Sequence, residues 1–369
     1  MKAVALREAI MEGIAAVSRA AGGDTLPILK SILIEANNNK LTLVGTNLEI
    51  AIQYGVSGKV IENGKITVPA RAFGEVLSVL RSERVNLEQK GQSIALTSDN
   101  YRASFQSLSA EDFPIIPKIK NTEKYIECKA EVLKDALGGV LIATEFSDLR
   151  PELNSVSFRF TPQLITLAAT DSFRLAEQQI PSTRFSSNIG EEFQILIPLK
   201  TSQELLRLIK EGENVKIYVD DNQILFTTPN AECISRLVEG RFPEYSAIIP
   251  ASFESELTVG KEDLIEALKL ASVFHDRASE VRLVFSKDQK AVEISSSSQG
   301  VGENVYMLPA KIQGENGEVL FNGRYVHDML RVARGGELFI GLNDEHTPAL
   351  FRSVGDASYQ YIVKPILKT

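Results

Sequence analysis

One block of sequence occurs three times, and it constrains the fold more than any other feature. The block reads strand, Pro or Asn, helix, acidic or glycine turn, strand. It runs as ITVPARAFGEVLSVLRSERVNL from Ile66, ILIPLKTSQELLRLIKEGENVKI from Ile195 and VLFNGRYVHDMLRVARGGELFI from Val319. Counted from Pro69, Pro198 and Asn322, the starts lie 129 and 124 residues apart (198 − 69 and 322 − 198). Such a period in 369 residues implies three similar domains in tandem. The expected boundaries are 1–120, 121–250 and 251–369, each segment long enough for its own core.

Each repeat opens on an amphipathic segment, and the spacing predicts helices over 6–17, 132–142 and 264–273. Short apolar runs follow at Ile32, Val156 and Leu283, and again at Leu41, Ile165 and Val292, and they read as strands. Each repeat closes in a hairpin-like pair, such as Ile94-Ala95-Leu96 with the segment from Tyr101 to Phe105. The fold class is therefore α+β, with two helices and several strands per domain.

The helix of the repeated block has two faces. Offsets +4, +7, +8 and +11 are Phe73, Val76, Leu77 and Leu80; then Ser202, Leu205, Leu206 and Ile209; then Val326, Met329, Leu330 and Ala333. At about 100° per residue they form one stripe, the core face. Basic residues fall opposite. Offset +2 gives Arg71, Lys200 and Arg324, and offset +12 gives Arg81, Lys210 and Arg334. Offset +9 adds Arg207 and Arg331. Outward faces are commonly charged, but the same outward basic face recurs in all three repeats. A net charge of -8 argues against nucleic acid, yet clustered charge decides the local potential. Helices that touch phosphates alone bind without sequence preference.

Chemistry is sparse. The three histidines, His275, His327 and His346, have no metal-ligand spacing, and no metal or cofactor is expected. The segment from Gly58 to Lys65 departs from a phosphate loop in spacing and in Ile66. The run Ala169-Thr170-Asp171-Ser172-Phe173-Arg174-Leu175 holds an acid, two hydroxyls and a base, which a turn with Asp171 bonding its own backbone explains as well as an active site does. Two cysteines, Cys128 and Cys233, point to a reducing compartment, and the charged first twenty residues do not read as a signal peptide. No run approaches the roughly 20 apolar residues of a membrane span. A cytoplasmic protein without membrane contact is expected.

Six motifs, in order, match a known family: Thr25-Leu26-Pro27-Ile28-Leu29, Gly45-Thr46-Asn47-Leu48-Glu49, Val68-Pro69-Ala70-Arg71, the run from Ala169 to Leu175, Glu239-Gly240-Arg241-Phe242-Pro243-Glu244-Tyr245, and Tyr361-Ile362-Val363-Lys364-Pro365-Ile366. Over its whole length the chain resembles the bacterial sliding clamps, the beta subunits of replicative DNA polymerase. The resemblance implies a head-to-tail homodimer whose six domains close a ring, helices inside and sheets outside. The eight basic residues would then face double-stranded DNA, bound without sequence preference. The ring would tether the replicative polymerase, raising its effective concentration at the primer end, with no catalytic step of its own. The family's dimer junction maps to Arg102, Phe105 and Leu108 on one side and Val273 and Phe274 on the other.

The resemblance also implies a peptide pocket between domains two and three for polymerases, the clamp loader and other proteins carrying clamp-binding motifs. It maps to Leu153, Thr170, Ser172, Phe173, Arg174, Leu175, Pro243, Ile248, Ile362, Val363, Lys364, Pro365 and Ile366. Three departures stand out. Ser172-Phe173 replaces the family's frequent Gly-His, Asp24 replaces a frequent arginine, and the tail reads Lys364-Pro365-Ile366-Leu367-Lys368-Thr369 where the family usually ends in Met-Pro-Met/Val-Arg-Leu. Two other readings stay open from the sequence: a scaffold that never meets DNA, and an enzyme using Asp171, Ser172 and Arg174.

Overall fold

The computed structural model describes residues 1–23, 25–144, 149–274 and 279–367. Asp24, His275, Lys368 and Thr369 lie outside the described residues.

Each repeat is itself made of two βαβββ halves. The first repeat has β1 (Lys2–Leu6), α1 (Arg7–Val17), β2 (Ser31–Asn37), β3 (Lys40–Thr46) and β4 (Ile50–Glu62), then β5 (Gly64–Pro69), α2 (Ala70–Val79), β6 (Arg84–Lys90), β7 (Ser93–Thr97) and β8 (Arg102–Gln106). The second has β9 (Ile126–Lys129), α3 (Ala130–Leu141), β10 (Ser155–Phe160), β11 (Leu164–Thr170), β12 (Arg174–Pro181) and a short β13 (Phe185–Ser187). It continues with β14 (Phe193–Pro198), α4 (Leu199–Leu208), β15 (Asn214–Val219), β16 (Gln223–Thr227) and β17 (Ala231–Arg236). The third has β18 (Ser255–Gly260), α5 (Lys261–Ala271), β19 (Glu280–Phe285), β20 (Ala291–Ser298) and β21 (Gly302–Gly314), then β22 (Gly317–Asn322), α6 (Gly323–Val332), β23 (Glu337–Leu342), β24 (Ala349–Ser353) and β25 (Tyr359–Val363).

The repeated helices obey their predicted faces. Phe73 and Leu77 of α2, Ser202 and Leu205 of α4, and Val326, Met329 and Leu330 of α6 are buried, while Val79 is 80% exposed. Each large apolar side chain so buried contributes roughly 1.5–3 kcal/mol. Three expectations need correction. Helices α2, α4 and α6 end at Val79, Leu208 and Val332, so Arg81, Lys210 and Arg334 lie just past the last turn. There, positive charge suits the negative end of the helix dipole. Helix α5 ends at Ala271, so Val273 lies in the turn beyond it. The strands β1, β9 and β18 are additional, each running straight into the helix after it.

The packing divides the chain into two units, cut through the second repeat. One holds Met1–Lys134, Thr183–Ile189 and Lys200–Leu237; the other holds Asp135–Ser182, Gly190–Leu199 and Val238–Thr369. In the first unit, α1 packs on α2, and β3 comes so close to the end of α1 that a Cβ on Gly45 would lie 2.1 Å from the Val17 carbonyl oxygen. Glycine is required at that approach. Strand β4 is the joint of this unit: residues 50–54 pair with β17 on one edge and β3 on the other, and the end of β4 pairs with β1. In the second unit β12 has the same role, pairing with β11 on one edge and β25 on the other. Sheets thus pass from repeat one into repeat two, and from repeat two into repeat three.

Two edges break the pattern. Strand β8, the counterpart of β17 and β25, pairs with β7 alone among the described residues. Strand β21, the counterpart of β4 and β12, pairs with β18 through 310–314, but 302–309 pair with β20 alone.

Candidate nucleic-acid and partner interfaces

All eight predicted basic residues are exposed. They differ in company. Arg71 pairs with Glu75 at 2.8 Å, Arg207 with Glu204 at 3.0 Å and Arg334 with Asp135 at 2.5 Å. Lys210 pairs with Glu12 and donates to the Tyr54 hydroxyl at 3.2 Å; the lysine in turn holds the Glu12 carboxyl below its usual range. Arg81, Lys200, Arg324 and Arg331 have no ion-pair partner among the described residues. A phosphate would meet these four without displacing an acid.

The run around Asp171 folds as a turn. Asp171 Oδ1 accepts the Phe173 and Arg174 N–H groups at 2.9 and 2.8 Å, and Ser172 adopts a φ of 77°. Thr170 Oγ1 donates to the Arg174 carbonyl at 2.7 Å. The first repeat builds the same turn: Asn47 Oδ1 accepts from Glu49 and Ile50 at 3.0 and 2.9 Å, Leu48 has a φ of 78°, and Thr46 Oγ1 donates to Ile50. A turn shared by two repeats is scaffold chemistry, and it accounts for the residues that suggested an active site.

The turn aims Arg174 inward. Its Nε lies 2.8 Å from Asp171 Oδ2, its Nη1 2.7 Å from Asp328 Oδ2 on α6, and the guanidinium stacks 4.3 Å above the Tyr325 ring. Burial works against the charge, but Tyr361, Asp328 and Asp171 raise the guanidinium above its ordinary value, so it stays charged. The Tyr361 hydroxyl donates to the Tyr325 carbonyl at 3.0 Å. These contacts fix the Tyr325 ring as a wall of a cleft of about 600 Å³.

Of the predicted pocket residues, Phe173 (58% exposed), Lys364, Pro365 and Ile366 line this cleft. Leu153, Thr170, Leu175, Ile362 and Val363 are buried and do not line it; Leu175 and Ile362 pack with Leu350, and Tyr245 and Ile249 lie against them. Ser172 and Ile248 are exposed, and Pro243 opens onto a different cleft, where the Tyr245 hydroxyl donates to Glu177 at 2.5 Å. Asn322, Tyr325, Glu345, His346 and Leu367 also line the first cleft, and no sequence motif marks them as part of it. Asn322 is legible in the sequence only as the position from which the third block is counted; it caps α6, its Oδ1 accepting the Arg324 N–H at 3.0 Å.

At the unpaired edges, Arg102 and Leu108 are exposed, and Phe105 is half-buried edge-on against Phe73 at 5.2 Å. Val273 is 61% exposed, and the Phe274 ring reaches Gly302 at the start of β21. No metal-binding cluster of His, Cys, Asp and Glu and no helix long and apolar enough to cross a membrane occurs among the described residues.

One α+β domain repeated three times, with sheets handed from repeat to repeat, defines the fold of a DNA clamp. Family models for the N-terminal, central and C-terminal domains of the DNA polymerase III beta subunit match residues 1–117, 127–244 and 246–367, and the chain belongs to that family. A beta sliding clamp from Synechocystis sp. is 27% identical, with 99% of each chain covered. One from Staphylococcus epidermidis is 27% identical, covering 93% of this chain and 92% of the relative. The DNA polymerase sliding clamp of Bacillus subtilis superposes with a TM-score of 0.94 at 25% identity, all of both chains covered. A Pseudomonas aeruginosa clamp, solved bound to griselimycin, has a TM-score of 0.93 at 24% identity and full coverage. The protein is a non-catalytic subunit, a processivity clamp for DNA polymerase.

Proposed function

We propose that two copies close head to tail into a ring of six domains, bounded at 1–120, 121–250 and 251–369, with duplex DNA through the hole. The observation that carries this is the pairing pattern of the sheets. In this pattern β17 finds β4, and β25 finds β12, but among the described residues β8 and the 302–309 segment of β21 have no such mate. The β8 of one copy on the β21 of another repeats the joint already used twice, with Arg102, Phe105 and Leu108 against Val273 and Phe274. Isolated sheet edges are costly to leave open, and a head-to-tail contact of the right angle closes on itself.

The basic residues on the three repeated helices and just past their ends, Arg71, Arg81, Lys200, Arg207, Lys210, Arg324, Arg331 and Arg334, face the DNA phosphates, so the ring slides without reading sequence. The cleft beside Phe173, Lys364, Pro365 and Ile366 takes short apolar, glutamine-containing peptides from the replicative polymerase, the clamp loader and other partners. The setting is the cytoplasm. Light scattering across a dilution series tests the assembly. A species of twice 40.6 kDa that persists on dilution supports it, and a strict monomer at every concentration overturns it. Salt-dependent retention on circular but not linear duplex separates an encircling clamp from a scaffold.

A further inference from the structure

Two ion pairs tie neighbouring repeats together, and they obey one rule of position. Lys210 lies two residues past the end of α4 and pairs with Glu12, the sixth residue of α1 in the repeat before it. Arg334 lies two residues past the end of α6 and pairs at 2.5 Å with Asp135, the sixth residue of α3 in the repeat before it. The base after one repeat's second helix thus meets an acid on the preceding repeat's first helix. Each tie accompanies a sheet joint, β17 on β4 and β25 on β12.

The rule leaves two residues over. Arg81 lies two residues past the end of α2, and Glu266 is the sixth residue of α5. Both are exposed, and neither has an ion-pair partner among the described residues. A hydroxyl recurs at the same place. In the first repeat Tyr54 sits opposite Leu43 in the sheet and accepts a hydrogen bond from Lys210 at 3.2 Å. In the third repeat Tyr306 sits opposite Ile294, the counterpart of Leu43. Burial, then Glu266 and Asp263, raise the Tyr306 hydroxyl above its ordinary value, which sets Glu266 beside it. Glu266 and Tyr306 therefore reproduce the acid and hydroxyl of the Glu12–Tyr54–Lys210 cluster, and among the described residues they have no cation.

We propose that Arg81 of one copy supplies that cation to Glu266 of the partner subunit, so that the junction between copies carries the same base–acid tie as the two internal joints. The inference rests on the head-to-tail assembly proposed above and adds to its sheet edges a contact between helix ends. An exposed ion pair is screened by salt, so this tie makes ring closure salt-sensitive. A guanidinium has two N–H edges, and the one turned away from Glu266 stays open to a phosphate.

The test is fluorescence-detected sedimentation across a dilution series, on full chains labelled at the C-terminus. Arg81→Glu and Glu266→Arg each set like charges against one another at both junctions of a two-copy ring. Each is expected to weaken the dimer by about tenfold in low salt, with the difference from the unmodified chain shrinking in about 0.5 M salt. Mixing the two variants is expected to restore the dimer, because opposite charges then meet at both junctions; within either chain alone they cannot. The double variant should likewise dimerise within about threefold of the unmodified chain. Single variants that dimerise as the unmodified chain does, or variants that stay weak when mixed, overturn the tie and leave the ring standing. An unmodified chain that is monomeric at every concentration overturns the ring and the tie with it.

Discussion

Arg174 and Asp328 meet at 2.7 Å although 154 residues separate them. The pair ties the second repeat's β12 to the third repeat's α6. Replacing the arginine leaves Asp171, whose side chain is 2% exposed, with a buried charge and no counter-ion. Arg174→Ala is therefore expected to lower stability by roughly 3–5 kcal/mol, read from chemical unfolding. Peptide affinity at the cleft should fall too, because the Tyr325 ring loses the guanidinium stacked on it. An unchanged unfolding midpoint would show that the pair is dispensable.

The basic residues should not be equivalent on DNA. Changing Arg81, Lys200, Arg324 or Arg331 to Ser is expected to reduce the slope of log affinity against log salt by about 0.9 for each phosphate that is no longer neutralised. Arg71, Lys210 and Arg334 already hold Glu75, Glu12 and Asp135, and should change it less. Equal slopes for all variants would sink the distinction.

At the proposed junction, Leu108→Asp and Val273→Asp each set a charge on an exposed apolar position. Light scattering of either variant is expected to give the single-chain mass, with an unchanged far-ultraviolet circular dichroism spectrum. A persistent dimer in both would move the junction elsewhere.

Both thiols are buried. Burial, with Glu127 near Cys128 and Glu204 near Cys233, pushes each up to about 12. An unfolded thiol ionises near 8.5. Below that value both states keep the proton and stability is unaffected. As pH rises above it the unfolded state ionises first, so stability falls between about 8.5 and about 12. A chromogenic disulfide reagent at pH 8 should react with neither cysteine until denaturant is added. Rapid reaction of the native chain would contradict the burial of both.

Sequence period revealed the inward faces of α2, α4 and α6 because those helices have a 3.6-residue repeat to read. It overran their ends. Leu80 and Ala333 turn extended, with ψ of 140° and 135°; no Gly or Pro marks the first stop, and Gly335 follows the second only two residues later. The strands β1 and β9 escaped notice because each passes into its helix without a turn residue between, and β18 is followed by α5 with only Gly260 at the join. The three-domain reading followed from the block spacing, whereas packing regroups the second repeat because β17 and β25 reach across repeats. The cleft was half legible: Phe173, Lys364 and Pro365 carry a motif, but Tyr325 and His346 join them through strand pairing that no local pattern encodes.

The unmatched edges β8 and β21 also give the molecule a direction. Copies that add one to the next always leave one edge of each kind at the two ends, so such growth has no natural stop except closure. The angle at the joints decides how many copies that takes. A substitution that leaves both edges sticky but bends a joint by a few degrees would therefore yield an open filament, which could grip a polymerase yet let the template fall out of its side.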